Sequence, residues 1–374
     1  MFISFLGIGQ GGSNICDEWA KRGHYSAAIN FSQRDLESLE FVENKLHLIG
    51  SEGIGKQRNN AISLMNNNWD LAMNFVKENF SHSSIEIVFV PFATGGGSGS
   101  GVAPVLLQLL SESMPEKVFV AMPILPDKNE SFISQKNCLE TFEDLSSLDI
   151  CILPIDNDKT KSILPNKGKN NLFNKVNESV ATIIEQLISY TDKSSKYGVL
   201  DRKDLRSIFS TKGVACIAQA ELSNLSNSIG ISEDGFTSVI QESWGSSIFA
   251  DIEYDQILSA GIIFDGQEAL MEMVNVESAF SKFHNKMPIS LYEGNYIKEK
   301  GGKIISVLTG LAWCNTRLRQ IDEIVTQTSR TFESLNQSTV YKSKISDMPL
   351  PMDRKDRKDH KVKDISDIIS KFKR

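Results

Sequence analysis

The residues best suited to chemistry are glycines and serines gathered in short runs. Gly95, Gly96, Gly97, Ser98, Gly99, Ser100 and Gly101 form a stretch without one bulky side chain. It follows a β-branched and aromatic run that starts at Ile87 and precedes an apolar run of helical character. Strand, glycine loop and helix N-terminus in that order let backbone N–H groups crowd around an anion, with the positive end of the helix dipole behind them. A phosphate cradle is the expectation. The competing meaning of such composition is a flexible Gly/Ser linker, but linkers are rarely bounded by a core strand and a core helix.

Two more glycine loops precede it. Gly7-Ile8-Gly9-Gln10-Gly11-Gly12 lies between an apolar strand (2–6) and a helix starting near Ser13, so glycines 7, 9 and 12 fit a GxGxxG fingerprint. That fingerprint wants a ribose-binding acid at the end of the next strand (26–31), where Asn30 stands instead. Gly50-Ser51-Glu52-Gly53-Ile54-Gly55-Lys56-Gln57 approaches the Walker A pattern, but Gln57 replaces the hydroxyl that would ligate magnesium. It is a third glycine loop, or a plain surface turn.

Further along, Phe173 and Asn177 share one face of a helix spanning 171–190, where Val176, Val180, Ile184 and Leu187 supply an apolar stripe. A phenylalanine there either packs in the core or stacks on a base. Asp201 and Asp204 stand three apart at a helix entrance, the ordinary place for an N-cap and a first-turn charge.

The elements that must position these residues alternate strand and helix through the first 155 positions, with strands also at 45–50, 117–123 and 149–154. This predicts an α/β fold with a parallel, doubly wound sheet, whose ligands sit at the carboxyl ends of the strands. The expected divisions are a nucleotide domain (1–171), a central helix (172–190), a smaller α+β domain (191–310) with a hairpin turned at Gly301-Gly302, a C-terminal helix (311–343) and a flexible tail (344–374). The helix carries a narrow stripe of Leu318, Ile321, Val325, Thr328, Phe332 and Leu335, suited to lying along another surface. The tail passes from DRKDRKDHKVKD to a short basic amphipathic end with Ile365, Ile368, Ile369 and Phe372, a docking peptide or a frayed helix.

Bulk properties narrow the class. With 374 residues, 40% hydrophobic and 23% charged, the chain has ample core. A net charge of −7 argues against wholesale nucleic-acid binding by the folded body. Cys16, Cys138, Cys151, Cys216 and Cys314 lack metal-site or redox spacing, which suits buried thiols in a reducing cytoplasm. The five histidines form no HExxH-like cluster, no stretch nears ~18 apolar residues, and no signal peptide is evident, so no membrane span is expected.

Taken together these residues resemble the tubulin/FtsZ superfamily of filament-forming GTPases. GGGSGSG at 95–101 resembles its signature G-G-G-[ST]-G-[ST]-G, and the residues from 7 to 14, including Gly9, Gln10, Gly11, Gly12 and Asn14, resemble its first phosphate loop. Asn30 falls in the second loop, Gly53 and Gly55 in the γ-phosphate loop, Glu130 in the ribose loop and Asn157 in the sixth loop. The resemblance implies that Phe173 stacks on guanine, that Asn177 bonds its edge, and that Asp201 and Asp204 form the acidic synergy loop. It implies GTP and GDP as ligands with Mg²⁺, and self-association into filaments.

Within the superfamily the long C-terminal helix resembles the TubZ branch of plasmids and phages, whose members pull DNA through a small DNA-binding adaptor held by the tail. A cell-division role of FtsZ type is the nearer alternative. More distant rivals are a non-hydrolysing homologue, motivated by Val199 where FtsZ has Asn, and an NAD-dependent oxidoreductase, suggested by GxGxxG. Ser134 also sits near where FtsZ uses Arg, so the hydrolysis rate is expected to differ. Residues 172–190 as a helix span roughly 28 Å. If Phe173 touches the base, Asp201 and Asp204 lie beyond the far end and can serve only a neighbour's nucleotide, in subunits stacked head to tail.

Overall fold

The computed structural model describes residues 2–163, 169–222 and 233–338. The packing below is that of Met1–Thr328; Ser329–Arg374 forms a second unit, described only through residue 338, so the expected docking tail lies outside the described residues.

The chain opens with β1 (Ile3–Ile8), α1 (Gly9–Lys21), β2 (Ser26–Asn30), α2 (Gln33–Glu37), β3 (Asn44–His47), α3 (Arg58–Met65) and α4 (Trp69–Phe80). Next come β4 (Ile87–Ala93), α5 (Ser98–Ser113), β5 (Val118–Leu125), α6 (Phe132–Ser146), β6 (Cys151–Ile152), β7 (Ile155–Asp156), α7 (Asn157–Ile163) and α8 (Lys169–Tyr190). The second half holds α9 (Arg202–Phe209), β8 (Gly213–Glu221), α10 (Glu233–Ser246), β9 (Ser259–Gly266), α11 (Glu268–Met271), α12 (Val276–Ala279), β10 (Ser290–Ile297), β11 (Gly302–Leu311) and α13 (Asn315–Ser338).

Among the described residues these strands make one sheet in the order β10-β9-β11-β8-β6-β5-β4-β1-β2-β3, with β7 also on β5. From β3 to β8 every pairing is parallel, as crossover helices require. The central strands β1, β4 and β5 are almost wholly buried, so both faces must be covered. One face packs Ile15 and Trp19 of α1 with Val176, Val180, Ile184 and Leu187 of α8; Phe5 stacks on Trp19 at 3.8 Å between ring centroids. The other buries Ala72, Met73, Val76 and Phe80 of α4 and Leu106, Leu107 and Leu110 of α5, while Trp69 and Leu71 of α4 face outward.

Helix α8 is pinned in its second half and at its last residue. Arg22, just after α1, donates to Glu185 (2.9 Å) and Thr182 (3.1 Å). At its last residue the Tyr190 hydroxyl donates to Asp265 of β9, which also takes Lys298 at 2.7 Å. Burial would push the Asp265 carboxyl up, but the Lys298 and Tyr190 bonds outweigh it and hold the group below its ordinary value.

The hairpin expected at Gly301-Gly302 does not form. β11 inserts antiparallel between β9 and β8, and β10 pairs parallel with the far side of β9. The connection 298–301 passes over the end of β9, where the Lys298 amide donates to the Gly266 carbonyl and the Gln267 amide to the Gly301 carbonyl. Burial decides the order. β11 is apolar on both faces and nearly all buried, so it takes an interior place; β10 has mostly half-exposed residues and takes the edge.

Candidate functional site

A cavity of about 730 Å³ opens at the carboxyl ends of β1, β4 and β5. Its lining includes Gln10, Gly11, Asn14, Gly95, Gly96, Glu130, Asn157, Phe173 and Asn177, all singled out from the sequence and drawn from five separate segments. The structure adds Lys56, Asn174 and Val176, with Ala93, Ile124 and Pro126 on the walls.

Two helices start at this cavity without a side-chain cap. α1 begins at Gly9 and α5 at Ser98, and neither preceding residue has a side-chain oxygen that accepts from the first turn. Their first-turn N–H groups and dipole ends are therefore available to an anion.

The remaining glycines of the two loops build the wall rather than its surface. A Cβ on Gly12 would lie 1.9 Å from the Pro91 carbonyl oxygen, inside any tolerable contact. One on Gly9, itself at φ +69°, would meet the Gly99 nitrogen at 2.7 Å, so the two loops pack backbone against backbone. Gly99 abuts the Ala93 backbone in the same way, Gly101 meets the Ala61 side chain and the Arg58 carbonyl, and a Cβ on Gly97 would strike Ile54 at 2.5 Å. Ser100 is fully buried and folds its hydroxyl onto the Gly96 and Gly97 carbonyls (2.5 and 3.2 Å). Ser98, the first residue of α5, is half-buried.

Asn30, Gly53 and Gly55 are not among the lining residues. Asn30 is buried and its amide donates to Asp35 at 3.1 Å, which follows from α2 turning back over the end of β2. Gly53 (φ +127°) and Gly55 (φ +56°) sit in an exposed turn.

Asp201 and Asp204 lie at the other end of the sheet. Asp201 caps α9, accepting from the Lys203 (2.7 Å) and Asp204 (3.0 Å) amides, while Asp204 accepts from the Asp201 amide at 2.9 Å. Arg206 of the same helix donates to the Glu86 and Glu116 carbonyls, just before β4 and β5, and the Arg202 guanidinium sits 5.8 Å from the Phe2 ring centroid. The cavity follows the opposite ends of those strands. β4 is seven residues long, so the acidic pair and the cavity are separated by roughly 23 Å of strand.

Sequence patterns gave no sign of the support behind the cavity. Arg317 of α13 is buried, donates to Asp156 at 2.9 Å, and reaches the Pro126 carbonyl at 2.7 Å. Burial pushes the Asp156 carboxyl up, with Arg317 pulling it partly back. The pair braces Pro126, which lines the cavity, and stands next to Asn157, which also does; its partners are 161 positions apart. All five cysteines are buried and unpaired. Among the described residues no three or more His, Cys, Asp or Glu could hold a metal, and no helix is long and apolar enough to cross a membrane.

Residues 2–165 match the family described as Tubulin/FtsZ family, GTPase domain. The chain is 26% identical, over 394 aligned positions, to the tubulin-like protein TubZ of Clostridium botulinum C phage, and the match covers 99% of each chain. It is 25% identical over 322 positions to the tubulin-like protein CetZ of Pyrococcus horikoshii, covering 82% of this chain and 84% of that one. Among solved structures it is similar to a GTPγS-form protofilament of TubZ from Bacillus thuringiensis serovar israelensis. There the TM-score is 0.76 at 16% identity, over 90% of this chain and 94% of that one.

Proposed function

Since residues 2–165 match the tubulin/FtsZ GTPase domain, we propose that the chain binds GTP and GDP in the described cavity, assembles head to tail into filaments, and hydrolyses GTP where two subunits meet. The observation that carries this is the placement of its two candidate half-sites at opposite ends of one sheet. A neighbour stacked with its α9 over the cavity would bring Asp201 and Asp204 to the phosphates. Such a heterologous contact does not close on itself and so propagates as a filament.

In this scheme the guanine lies at Phe173 and Asn177, and Glu130 and Asn157 hold the ribose side. The uncapped starts of α1 and α5, with Gly11, Gly95 and Gly96, receive the phosphates. Magnesium fits as an ion held mainly by the phosphate oxygens, since the cavity lining offers one carboxylate, Glu130. Bound there it would neutralise the β- and γ-oxygens. Asp204 of the incoming subunit orients and polarises the attacking water, and its charge draws off the proton.

The cellular role we propose is segregation of plasmid or phage DNA in the cytoplasm, through a DNA-binding adaptor that grips residues 344–374. The match to the phage TubZ covers 99% of the chain and so takes in the tail, whereas that to the CetZ of Pyrococcus horikoshii covers 82%. Pelleting of the adaptor with filaments that lack this tail would remove that role.

Asp204→Ala tests the trans scheme. It is expected to bind nucleotide as the parent does, to release phosphate about a hundredfold more slowly or worse, and to form longer-lived filaments by electron microscopy. Parent turnover per subunit must also rise above a threshold protein concentration; full turnover by isolated monomers would sink the scheme.

A further inference from the structure

We infer that Lys56 is the cation that meets the terminal phosphate of a bound triphosphate, and that Ser131 and Ser134 hold its ammonium in readiness. The inference rests on the proposed nucleotide site and assigns to it the group that tells a triphosphate from a diphosphate.

Lys56 is the one basic residue lining the cavity, and one amide, that of Asn137, ties its carbonyl to that of Gly96. Its Nζ donates to Ser134 Oγ at 2.7 Å and Ser131 Oγ at 3.1 Å. Among the described residues it forms no ion pair, unlike most cations near it: Arg58 has Glu140 and Asp144, Lys136 has Glu140, and Lys161 has Asp127. Two neutral hydroxyls orient an ammonium without neutralising it. They leave a full positive charge beside loops whose donors are already arranged for an anion.

The backbone is committed to this placement. Lys56 has φ +67°, a conformation that L side chains rarely adopt and glycine adopts freely. Asn137 clamps the residue by donating to both the Lys56 carbonyl (2.9 Å) and the Gly96 carbonyl (3.0 Å). Behind it, a Cβ on Gly97 would lie 3.1 Å from the Lys56 nitrogen, so the 53–57 turn is seated directly on the phosphate loop. An outlier held this firmly, with an unneutralised charge at its tip, points to a ligand.

The charge cannot come from α6 instead. Ser134 is fully buried against Gly95, where an added Cβ would meet its Cβ at 3.0 Å, leaving no room for a long basic side chain. The cation therefore arrives from across the cavity, on the 53–57 turn. The distal phosphate of a triphosphate brings additional negative charge to this end of the ligand, and Lys56 meets it as a compact point charge.

The test uses Lys56→Gly, which removes the ammonium while suiting the positive φ, and Lys56→Arg, which keeps a charge. Binding of fluorescent mant-GTP and mant-GDP is measured by titration below the assembly threshold. Lys56→Gly is expected to weaken mant-GTP about tenfold and to leave mant-GDP within twofold; the retained mant-GDP binding certifies the fold. Lys56→Arg is expected to recover most of the preference. Equal weakening of both nucleotides by Lys56→Gly would make Lys56 a brace for the loop and overturn the inference, as would no effect on either. Failure of the parent chain to bind either guanine nucleotide would overturn the proposed function and this inference with it.

Discussion

The two ends of the sheet treat the same feature, a helix N-terminus, in opposite ways. At the carboxyl end α1 and α5 begin with no side-chain cap, and their free donors face a cavity. At the amino end α9 is closed by a reciprocal box in which Asp201 and Asp204 satisfy each other's backbone. An open start is prepared to receive an anion, whereas a closed one carries its own negative charge on a rigid mount. The open end must then draw its rigidity from elsewhere. It does so through glycine packing beneath the loops and the buried Arg317–Asp156 pair behind them.

That difference can be broken most severely from behind the open end. Arg317→Met leaves Asp156 as an uncompensated buried carboxylate and is expected to cost about 3–5 kcal/mol of unfolding free energy in urea. The deficit has a sign in pH. Asp156 already titrates above its ordinary value, so its neutral form is favoured in the fold, and that stabilising share is lost as pH rises through the folded pKa. Removing Arg317 drives the pKa further up. The variant should therefore be worst in neutral buffer and recover towards the parent in mildly acidic buffer. A deficit that does not change with pH would show that lost packing, rather than charge, is the cause.

A smaller effect separates wall from lining. Gly12→Ala sets a Cβ against the Pro91 carbonyl, and overpacking of this kind costs typically about 1–3 kcal/mol, or more where backbone cannot yield. Gly11→Ala meets the Ala93 Cβ at 3.0 Å and otherwise makes ordinary contacts, with Ile124 at 3.8 Å and the Ala93 Cα at 3.9 Å. It should lower thermal stability far less while reducing guanine nucleotide affinity, because Gly11 faces the cavity. If Gly11→Ala proved the less stable of the two, the division of this loop into wall and lining would fail.

What was legible in the sequence follows the same division. Gln10, Gly11, Asn14, Gly95, Gly96, Glu130, Asn157, Phe173 and Asn177 meet in one cavity because they lie in the loops after strands or in the first half of the helices that follow, and parallel strands deliver such segments to one end of a sheet. Asn30 looked equivalent, yet α2 turns its amide to Asp35, a choice made by the loop after the strand. Lys56 was in view as the lysine of an imperfect Walker-like run, but its reach to Ser131 and Ser134 depends on a positive φ that residue type does not announce. Arg317 was illegible for a plainer reason: it meets Asp156 across 161 positions, and no periodicity encodes such a pair. The order of β9, β10 and β11 was misread from a Gly-Gly turn, although the burial contrast between the last two strands was written in their composition.

The smallest expected effect tests the closed end. Asp201 accepts two backbone N–H groups and Asp204 one, so the first is the more fully engaged as a cap and the second is freer to reach outward. Asp201→Ala should then cost about 1 kcal/mol, the usual loss for an N-cap acceptor. Asp201→Ser restores a capping oxygen without the carboxylate, and is expected to return stability to within a few tenths of a kcal/mol of the parent. Because the box also fixes where Asp204 stands, the serine variant should keep phosphate release within a few-fold of the parent, while the alanine variant lets the helix start fray and falls further. Stability from urea unfolding and phosphate release from assembled protein are read on the same preparations. Should Asp201→Ser be fully stable and yet as slow as Asp204→Ala, the Asp201 carboxylate itself would reach the water, and cap and chemistry could no longer be assigned to different members of the pair.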